Sequence, residues 1–417
     1  MPHTLPPTLA PPVRERRDAT HSRTITPGAQ ALEPTQLMSN GHYSVTLRPN
    51  GAGWSRWGQT GITRWRDDAL RDACGAFVYL RLDPAGAPVS VTQHPAPDPQ
   101  AVYSCRFHTD RVCFDALWPE LRVNTTVWVS PEDDVELRKV VLTNLSKEPI
   151  ELELISALDV TLASHAADEA HPAFSNLFVK TDWLPEQQAL RCVRAPRLVT
   201  EQAMQAAHFV ADTEGEVLGL RCQTDRLHWL GRNHSADQPL ARMNAVPTTS
   251  TALGTGLDPV AALGVKLRLA PGAQACVTFA TAASDHPAQL MAIVDKYRQP
   301  SSVERASVMS ATLASIQLAP GQPRMEHLPA FQALTTALLM TLPKVDLPVP
   351  DSKAQRVCDR RSLWPLAISG DRPLVLVSAG SPQGLGLLRS VVQALNEWSR
   401  TGVACDVVVL SSEAHSY

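Results

Sequence analysis

The sequence lacks long apolar runs, an excess of one charge and closely paired cysteines. No run of about 18 apolar residues occurs, so the pattern predicts no membrane-spanning helix. A net charge of −3 gives no electrostatic reason to expect a nucleic acid or an anionic membrane as partner. The eight cysteines show no C-x-x-C spacing, which argues against zinc-ribbon and thioredoxin-like sites and favours reduced, small apolar residues of a cytosolic protein.

Aromatic residues are scarce, at 5% of the chain, but they are concentrated near its start. Between Trp54 and Asp68 lie three Trp and three Arg; the candidate carbohydrate contacts there are Trp54, Arg56, Trp57, Arg64, Trp65, Arg66 and Asp67. Trp rings stack on pyranose rings, and Arg offers planar donor pairs to hydroxyls or phosphate. The alternative is a stacked Trp/Arg ladder that stabilises a sheet, with Asp67 and Asp68 pairing the Arg residues. Because strand neighbours point to opposite faces, all six cannot reach one ligand.

At 417 residues the chain is long enough for two or three domains. Residues 1–35 are Pro-rich and aperiodic, which predicts a disordered leader. Over 36–285, short alternating strands separated by turns predict a mainly β fold, a large antiparallel β-sandwich. The predicted strands are Ala76–Leu82, Leu121–Val129, Val135–Thr143, Ile150–Ile155, Val217–Cys222, Leu263–Leu269 and Ala275–Thr281.

The period changes to helical after 285, which predicts a helical linker over 286–345 and a short, incomplete α/β segment over 346–417. The predicted helices are Pro287–Arg298, Ser301–Leu318 and Glu326–Leu342. Pro373–Ser378 is predicted as a buried strand, Leu385–Arg400 as an amphipathic helix and Val403–Leu410 as a second strand. A strand-helix-strand unit cannot bury both faces of its sheet. It therefore docks on the sandwich, or the chain is cut off inside a domain.

Three further patterns have a functional and a structural interpretation each. His165–His171 (HAADEAH) could supply metal ligands, or form a loop in which His171-Pro172 sets an extended turn. Glu132, Asp133 and Asp134 could act as paired carboxylates of a glycosidase, or simply be solvated turn residues. Gly380–Gly386 could bind phosphate at a helix start, or form a tight connection. The structural interpretation is favoured for each.

Several motifs together carry a resemblance to a known family. They are Met38–Tyr43 with the following Ser-Val, Gly53–Trp57, Thr63–Asp68, Trp128–Asp134, Ala170–Ser175, Asp225-Arg226, Gly231-Arg232, Leu257–Pro259, Ile368–Asp371 and Asp406–Leu410. In this order over 36–417 the chain resembles the β-sandwich of the β-glycan phosphorylases, which include cellobiose and chitobiose phosphorylases, in the form found in cyclic β-1,2-glucan synthases.

The resemblance implies a carbohydrate-associated sandwich that precedes a helical linker and an (α/α)6 barrel, and it adds His171 to the candidate carbohydrate contacts. In that family the barrel carries the catalytic general-acid Asp and the phosphate site. No barrel motif occurs in this sequence, so we expect an ancillary portion that is not catalytic alone, with no cofactor and with phosphate as a co-substrate of the parent family. Expected partners are β-glucan or an oligosaccharide, and either a separate barrel chain or a second copy in a homodimer. The expected location is cytoplasmic, peripheral to the inner membrane through a synthase partner.

Three hypotheses remain open. The chain is a subunit that is active only with a separately encoded barrel chain, or a free carbohydrate-binding module, or a nonfunctional truncated fragment of a synthase. The first predicts a neighbouring reading frame that encodes the barrel. The second predicts affinity for β-glucan that is lost in Trp54→Ala or Trp65→Ala. The third predicts poor solubility from exposed apolar surface.

Overall fold

A computed structural model describes residues 23–25, 34–66, 73–196, 203–317, 328–341, 360–379 and 384–411. Its strands are β1 (Arg23–Ile25), β2 (Gln36–Ser39), β3 (Tyr43–Leu47), β4 (Gly53–Trp57), β5 (Thr60–Thr63), β6 (Ala76–Arg81), β7 (Val89–Ser90), β8 (Val102–Phe107), β9 (Arg111–Leu117), β10 (Leu121–Val129), β11 (Val135–Asn144), β12 (Ile150–Ala163), β13 (Val179–Leu184), β14 (Ala189–Arg194), β15 (Met204–Glu214), β16 (Glu216–Asp225), β17 (Asn244–Ala245), β18 (Thr251–Leu253), β19 (Pro259–Leu269), β20 (Gln274–Ser284), β21 (Leu374–Ala379) and β22 (Asp406–Ser411). Its α-helices are α1 (His165–Ala170), α2 (Pro172–Asn176), α3 (Arg226–Leu230), α4 (Pro287–Tyr297), α5 (Pro300–Gln317), α6 (Leu328–Thr336) and α7 (Gly384–Arg400). A π-helical turn, Ala337–Thr341, follows α6, and Arg360–Leu366 form a 3-10 helix.

Two large antiparallel sheets form the body of the molecule. Sheet I has ten strands in the order β1-β8-β9-β10-β11-β20-β15-β14-β13-β18. Sheet II also has ten, in the order β17-β16-β19-β12-β5-β4-β3-β2, with β6 pairing β12 and β7. The sheets share one apolar core between their inner faces. The predicted mainly β fold with a large antiparallel sandwich is confirmed.

The period-2 pattern of β10 and β11 explains why these residues form neighbouring strands. In β10, Leu121, Val123 and Val127 are buried and alternate with partly exposed residues. Val123 lies opposite Leu142 of β11 in the ladder, and both belong to the core between the sheets. Residues directly opposite each other point to the same face, so this register fixes the inner face of sheet I.

The outer faces of both sheets are also covered. α4 and α5 lie on sheet I, where Leu290 and Tyr297 pack with Leu137 and Phe209. On sheet II, α3 brings Trp229 onto Tyr79, with ring centroids 5.4 Å apart. Burial on two faces explains the near-continuous apolar stretches in several strands, which a one-sided sheet would not need.

A buried polar network crosses the sandwich interior. Glu136 of β11 accepts hydrogen bonds from Arg138 Nε at 2.9 Å and Tyr43 Oη at 3.1 Å, and also from Ser55 Oγ. Arg138 Nη1 donates to the carbonyl oxygen of Ala76 at 2.8 Å. Because Glu136 and Arg138 belong to sheet I and the other partners to sheet II, the network ties the two sheets together.

The C-terminal elements form a small α/β unit that docks on the sandwich. β21 and β22 pair in parallel, and α7 connects them. Trp398 of α7 is buried, stacks on Phe331 of α6 at 5.7 Å and donates from Nε1 to Thr335 Oγ1 at 2.9 Å. α6 in turn contacts sheet II, where Gln332 Nε2 donates to Gln36 Oε1 at 2.7 Å. The predicted burial of the first strand is wrong, because Leu374 and Leu376 of β21 are exposed on the face that α7 does not cover.

Most predicted elements occur close to their expected positions. β10 has the predicted bounds, and neither end of α4, α5 or α7 differs from prediction by more than one residue. β12 is much longer than expected, since it continues through Ala163 with both faces buried and pairs β6, β19 and β5. The third predicted linker helix changes to a π-helical turn at Ala337.

Within the predicted leader, Arg23–Ile25 form β1 and pair with β8, so these three residues are not irregular chain. The edge of β8 offers unpaired backbone groups to such a strand. The rest of the leader up to residue 33 lies outside the described residues.

The division at 36–285, 286–345 and 346–417 stays a prediction. None of the described helices has the length and apolarity needed to cross a membrane, and the described cysteines are free thiols.

Candidate functional site

The Trp/Arg stretch lies on β4, β5 and the residues that follow β5. Ser55 reaches the interior network at Glu136, so Ser55 and Trp57 point to the inner side of sheet II. Trp54 and Arg56 alternate with them and therefore lie on the outer face. This confirms that the stretch does not present all its side chains to one side.

An aromatic ladder, formed by Trp54, Trp65 and His165, lies on the outer face. The rings of Trp54 and Trp65 are 4.5 Å apart at 44°, and His165 meets Trp54 edge-on at 6.2 Å. The Arg48 guanidinium lies 5.4 Å from the Trp65 ring centroid. The close approach of His165 requires glycine at position 61, where a Cβ would lie 2.6 Å from His165 Cδ2. Trp54 is buried, whereas Trp65 and His165 are partly exposed, so Trp65 is the accessible one of the two stacked Trp rings.

Arg56 lies beside the ladder and has specific partners. Its Nε donates to Ser44 Oγ at 3.0 Å, and Nη2 donates to the carbonyl oxygen of Gly402 at 3.0 Å. Burial lowers the pKa of the Arg56 guanidinium. Burial, followed by the positive charge of Arg56, lowers the pKa of His165 to about 4, so His165 is neutral near pH 7. Arg56 thus links the sandwich to the α/β unit.

A charged cluster adjoins the ladder: Arg64, Arg66, Asp159, Asp168, Arg226 and Asp258. Arg64 contacts Asp159 at 3.3 Å, Asp168 at 3.4 Å and Asp258 at 3.2 Å, and donates to Asn176 Oδ1 at 3.0 Å. Burial alone would lower the pKa of Arg64, but the carboxylates of Asp159, Asp258 and Asp168 outweigh it and raise that pKa. The guanidinium is therefore held charged and largely occupied by protein partners.

Arg226, the first residue of α3, completes the charged cluster. Its Nε donates to Asp159 Oδ2 at 2.7 Å, and Nη1 lies 3.5 Å from Asp258 Oδ2. Burial lowers the Arg226 pKa, but Asp159 and Asp258 raise it further than burial lowers it. These carboxylates lie far along the chain from Arg64. The expected partners Asp67 and Asp68 lie outside the described residues, so their pairing with the Arg residues stays a prediction.

Arg66 is held by the first turn of α1. Its Nη2 lies 2.7 Å from the buried Asp168 carboxylate and donates to the Asp168 carbonyl oxygen at 2.9 Å. Its Nη1 donates to the carbonyl oxygen of Trp65 at 2.7 Å. Arg66 therefore keeps Trp65 next to the charged cluster, which brings the aromatic and the charged candidates together.

The HAADEAH segment is helical, so its interpretation as a loop is wrong. Ser164 caps α1 by accepting from Ala167 N at 3.3 Å, and Pro172 starts α2 with its preset φ. His171 lies between the two helices and is exposed. His165 and His171 take different roles, since His165 packs on the ladder. No group of three or more metal-ligating side chains occurs among the described residues.

A second polar arrangement, the mouth site, lies at one end of the sandwich and consists of Asn40, His42, Trp57 and Asp134. The Asp134 carboxylate accepts from Trp57 Nε1 at 2.8 Å and Asn40 Nδ2 at 3.0 Å, and lies 2.6 Å from His42 Nδ1. The neighbouring Asp133 instead accepts from Lys296 Nζ at 2.6 Å. The carboxylates of Asp133 and Asp134 thus contact protein side chains. Asp134 has three such partners, more than a solvated turn residue needs.

Sequence reasoning did not identify Asp159, Asp258 and Arg226 as partners of Arg64, or His42 as a partner of Asp134. The Asp225-Arg226 and Leu257–Pro259 motifs were a signal for the first set, but their contacts depend on the sheet topology. Of the Gly380–Gly386 segment, for which a tight connection was favoured over phosphate binding, residues 380–383 lie outside the described part of the chain. Cys74 lies beside the charged cluster. Burial, followed by the negative charge of Asp159, raises the pKa of its thiol to about 11, so the thiol is unreactive at neutral pH.

Comparison with known proteins gives a family and a curated relative. The family model of the glycosyl hydrolase 94 supersandwich domain matches residues 20–300. The cyclic beta-(1,2)-glucan synthase NdvB of Rhizobium meliloti (strain 1021) is 30% identical over 384 residues, which are 92% of this chain and 14% of that protein. The chain thus spans 14% of the length of this relative.

Solved structures show weaker similarity. A bacterial glucoamylase in complex with acarbose is 9% identical, with a TM-score of 0.41, over 76% of this chain and 44% of that one. A galactose mutarotase-like protein from Clostridium acetobutylicum is 9% identical, with a TM-score of 0.32, over 64% of this chain and 99% of that one.

Proposed function

The chain belongs to the glycosyl hydrolase 94 supersandwich family, and we propose that it is the carbohydrate-binding ancillary portion of an enzyme like the cyclic β-1,2-glucan synthases. The observation that carries the proposal is the similarity to one such synthase over nearly the whole chain. In this proposal the catalytic acid and phosphate site belong to a barrel on another part of the enzyme. The proposed location is cytoplasmic, peripheral to the inner membrane through that enzyme.

The outer-face ladder and the charged cluster are the proposed contact surface for β-glucan. Trp65 is partly exposed, is supported by Trp54 and lies next to Arg66, which suits an apolar ring face bordered by polar groups. Asp258 and Arg226 of the charged cluster are partly exposed, at the edge of this surface. Trp54, being buried, acts through Trp65 in this proposal. His171, exposed between α1 and α2, stays a candidate contact.

Calorimetric titration of the purified chain with linear and cyclic β-1,2-glucan, with phosphate as a separate titrant, tests the proposal. We expect saturable heat with glucan and an affinity about tenfold weaker in Trp65→Ala. The matched control is Trp364→Ala, which removes an exposed Trp of the 3-10 helix and should leave the affinity unchanged. No heat from the folded wild-type chain would overturn the proposal.

A second candidate is a subunit that requires a catalytic barrel chain. The exposed apolar side chains of the α/β unit favour it, since such a surface often marks a protein contact; they are Leu374, Leu376, Leu385, Leu387, Val409 and Leu410. Sedimentation of the chain with and without the barrel of a cyclic glucan synthase tests this candidate. A stable complex supports it, a homodimer without the barrel points to self-association, and a monomer in both samples refutes it.

A further inference from the structure

The mouth site contains an exposed histidine whose position is fixed from behind. The His42 side chain is 51% exposed, while its partner Asp134 is only 15% exposed. The His42 ring lies 4.1 Å from the Trp57 ring, tilted by 60°. The backbone is held as well, since Asn40 Oδ1 accepts from the backbone N–H groups of His42 at 3.0 Å and Tyr43 at 2.8 Å. The imidazole is therefore oriented before any ligand arrives.

The hydrogen bonds fix which ring nitrogen carries the proton. Ionised carboxylates only accept hydrogen bonds, so His42 Nδ1 donates to Asp134 Oδ2. Trp57 Nε1 and Asn40 Nδ2 donate to the same carboxylate, which keeps it in place as an acceptor. In the neutral imidazole, Nε2 then carries a lone pair. Among the described residues Nε2 has no hydrogen-bond partner, so the mouth site offers one oriented acceptor.

An oriented acceptor selects the chemistry of its ligand. A hydroxyl group can donate to Nε2, whereas the ionised oxygens of phosphate only accept hydrogen bonds and would repel its lone pair. The Trp57 ring beside it adds an apolar surface of the kind that sugar rings contact. We propose that His42 Nε2 accepts a hydrogen bond from a hydroxyl group of a bound glycan, which makes the mouth site a carbohydrate contact separate from the outer-face ladder. This inference rests on the proposed function, because it assumes that the chain meets glycan.

The chain contains a similar pair that lacks these features. His228 Nδ1 lies 2.7 Å from Asp225 Oδ2, and His228 is 61% exposed. Asp225 there caps α3 by accepting from the backbone N–H groups of Leu227 and His228. No aromatic contact of His228 occurs among the described rings. His228 is therefore the matched control for an exposed His–Asp pair without an aromatic neighbour.

NMR of the ¹⁵N-histidine-labelled full chain tests the inference, with linear β-1,2-glucan as the probe. We expect the His42 tautomer with Nδ1 protonated, and a saturable shift of its Nε2 resonance on addition of glucan. Permethylated glucan, which keeps the sugar rings but has no hydroxyl donors, should not shift Nε2. By calorimetry, His42→Ala should bind glucan about three- to tenfold more weakly, the effect of one hydrogen bond, and His228→Ala should bind like wild type.

The outcomes separate this inference from the proposed function. If wild type binds glucan saturably while the Nε2 resonance of His42 stays unchanged, the inference is overturned and the proposed function stands. A shift with phosphate but not with glucan, or an equal shift with permethylated glucan, also overturns it. Absence of glucan binding in both measurements overturns both. If His42→Ala does not fold, the wild-type resonance shift and its permethylated control still decide the question.

Discussion

The sandwich and the C-terminal α/β unit place their apolar strand residues in contrasting surroundings. In β12 of the sandwich, Leu154 is completely buried. In the α/β unit, Leu376 of β21 is 59% exposed and Leu410 of β22 is 52% exposed. The difference follows from coverage, because sheet II has sheet I on one face and α3 on the other, whereas α7 covers a single face of the two-stranded sheet.

The comparison shows that apolar composition does not by itself place a strand in a core. Both regions have Val/Leu-rich strands, but a parallel pair with one crossover helix has one uncovered face. The α/β unit instead depends on its docking contacts, the buried Trp398 and the link from Arg56 to Gly402. Perturbing each region separately tests this view.

The largest effect is expected from Glu136→Ala in the sandwich interior. The substitution removes the acceptor for Tyr43 and Ser55 and leaves the buried Arg138 without its carboxylate. Breaking a buried ion pair from one side costs about 3–5 kcal/mol, and we expect that loss in the free energy of unfolding by urea. Arg268→Ala is the control, because its partners Glu151 and Glu216 are exposed. Equal losses in both variants would contradict the role of the interior network.

Trp398→Ala is expected to act on the α/β unit alone. It removes the stacking on Phe331 and the hydrogen bond to Thr335, and truncation of a buried aromatic costs about 3 kcal/mol or more. Hydrogen exchange followed by mass spectrometry should show faster exchange in peptides of β21, α7 and β22, with unchanged protection of β10 and β12. Faster exchange in the sandwich strands would mean that the two regions unfold together.

The sequence predicts the strands of the sandwich better than it predicts the exposure of the strands in the α/β unit. The alternation in Leu121–Val129 and Val135–Thr143 predicted β10 and β11 almost to the residue, because one inner and one outer face impose period 2. Leu374 and Leu376 gave the same apolar signal, yet whether a face is covered depends on distant elements. Periodicity reports which residues share a face and not what packs against it.

The candidate site shows the same limit. Strand alternation correctly separated Trp54 from Trp57 in β4, and the Trp/Arg content correctly indicated stacking. The carboxylates that hold Arg64 come from β12, α1 and the turn before β19, and no local pattern relates them. Their contacts follow from the order of strands in sheet II, which a single sequence does not determine.

The stability of the sandwich should depend on acidic pH more strongly than the stability of the α/β unit does. Burial, followed by the positive charge of Arg138, lowers the pKa of His208 to about 3 from 6.5. The folded state then binds fewer protons than the unfolded state, so sandwich stability falls as the pH falls through 6.5, and the loss ends near the folded pKa. Between pH 7 and pH 5 this difference in proton binding should lower the free energy of unfolding by about 2 kcal/mol.

Urea unfolding of wild type and His208→Gln at several pH values measures this linkage. The variant should be less stable at pH 7, because it loses the bond to Thr281, but its stability should fall less with acid. His165, whose pKa is also lowered by burial, leaves a residual slope in the variant. The described part of the α/β unit contains no histidine, so its hydrogen exchange free energies should change little over this range. Parallel pH curves for variant and wild type would exclude a contribution from His208.

The smallest effect is expected at the uncovered face of the α/β unit. Leu376→Ser exchanges an exposed apolar side chain for a polar one, and surface substitutions of this kind change stability by about 0.5 kcal/mol or less. Leu154→Ala in β12 is the matched substitution on a covered face and should cost about 2–5 kcal/mol. Urea unfolding and hydrogen exchange of both variants measure the difference. A large loss in Leu376→Ser would mean that the face is covered in solution, by a second copy of the chain if sedimentation shows a dimer that the substitution disrupts.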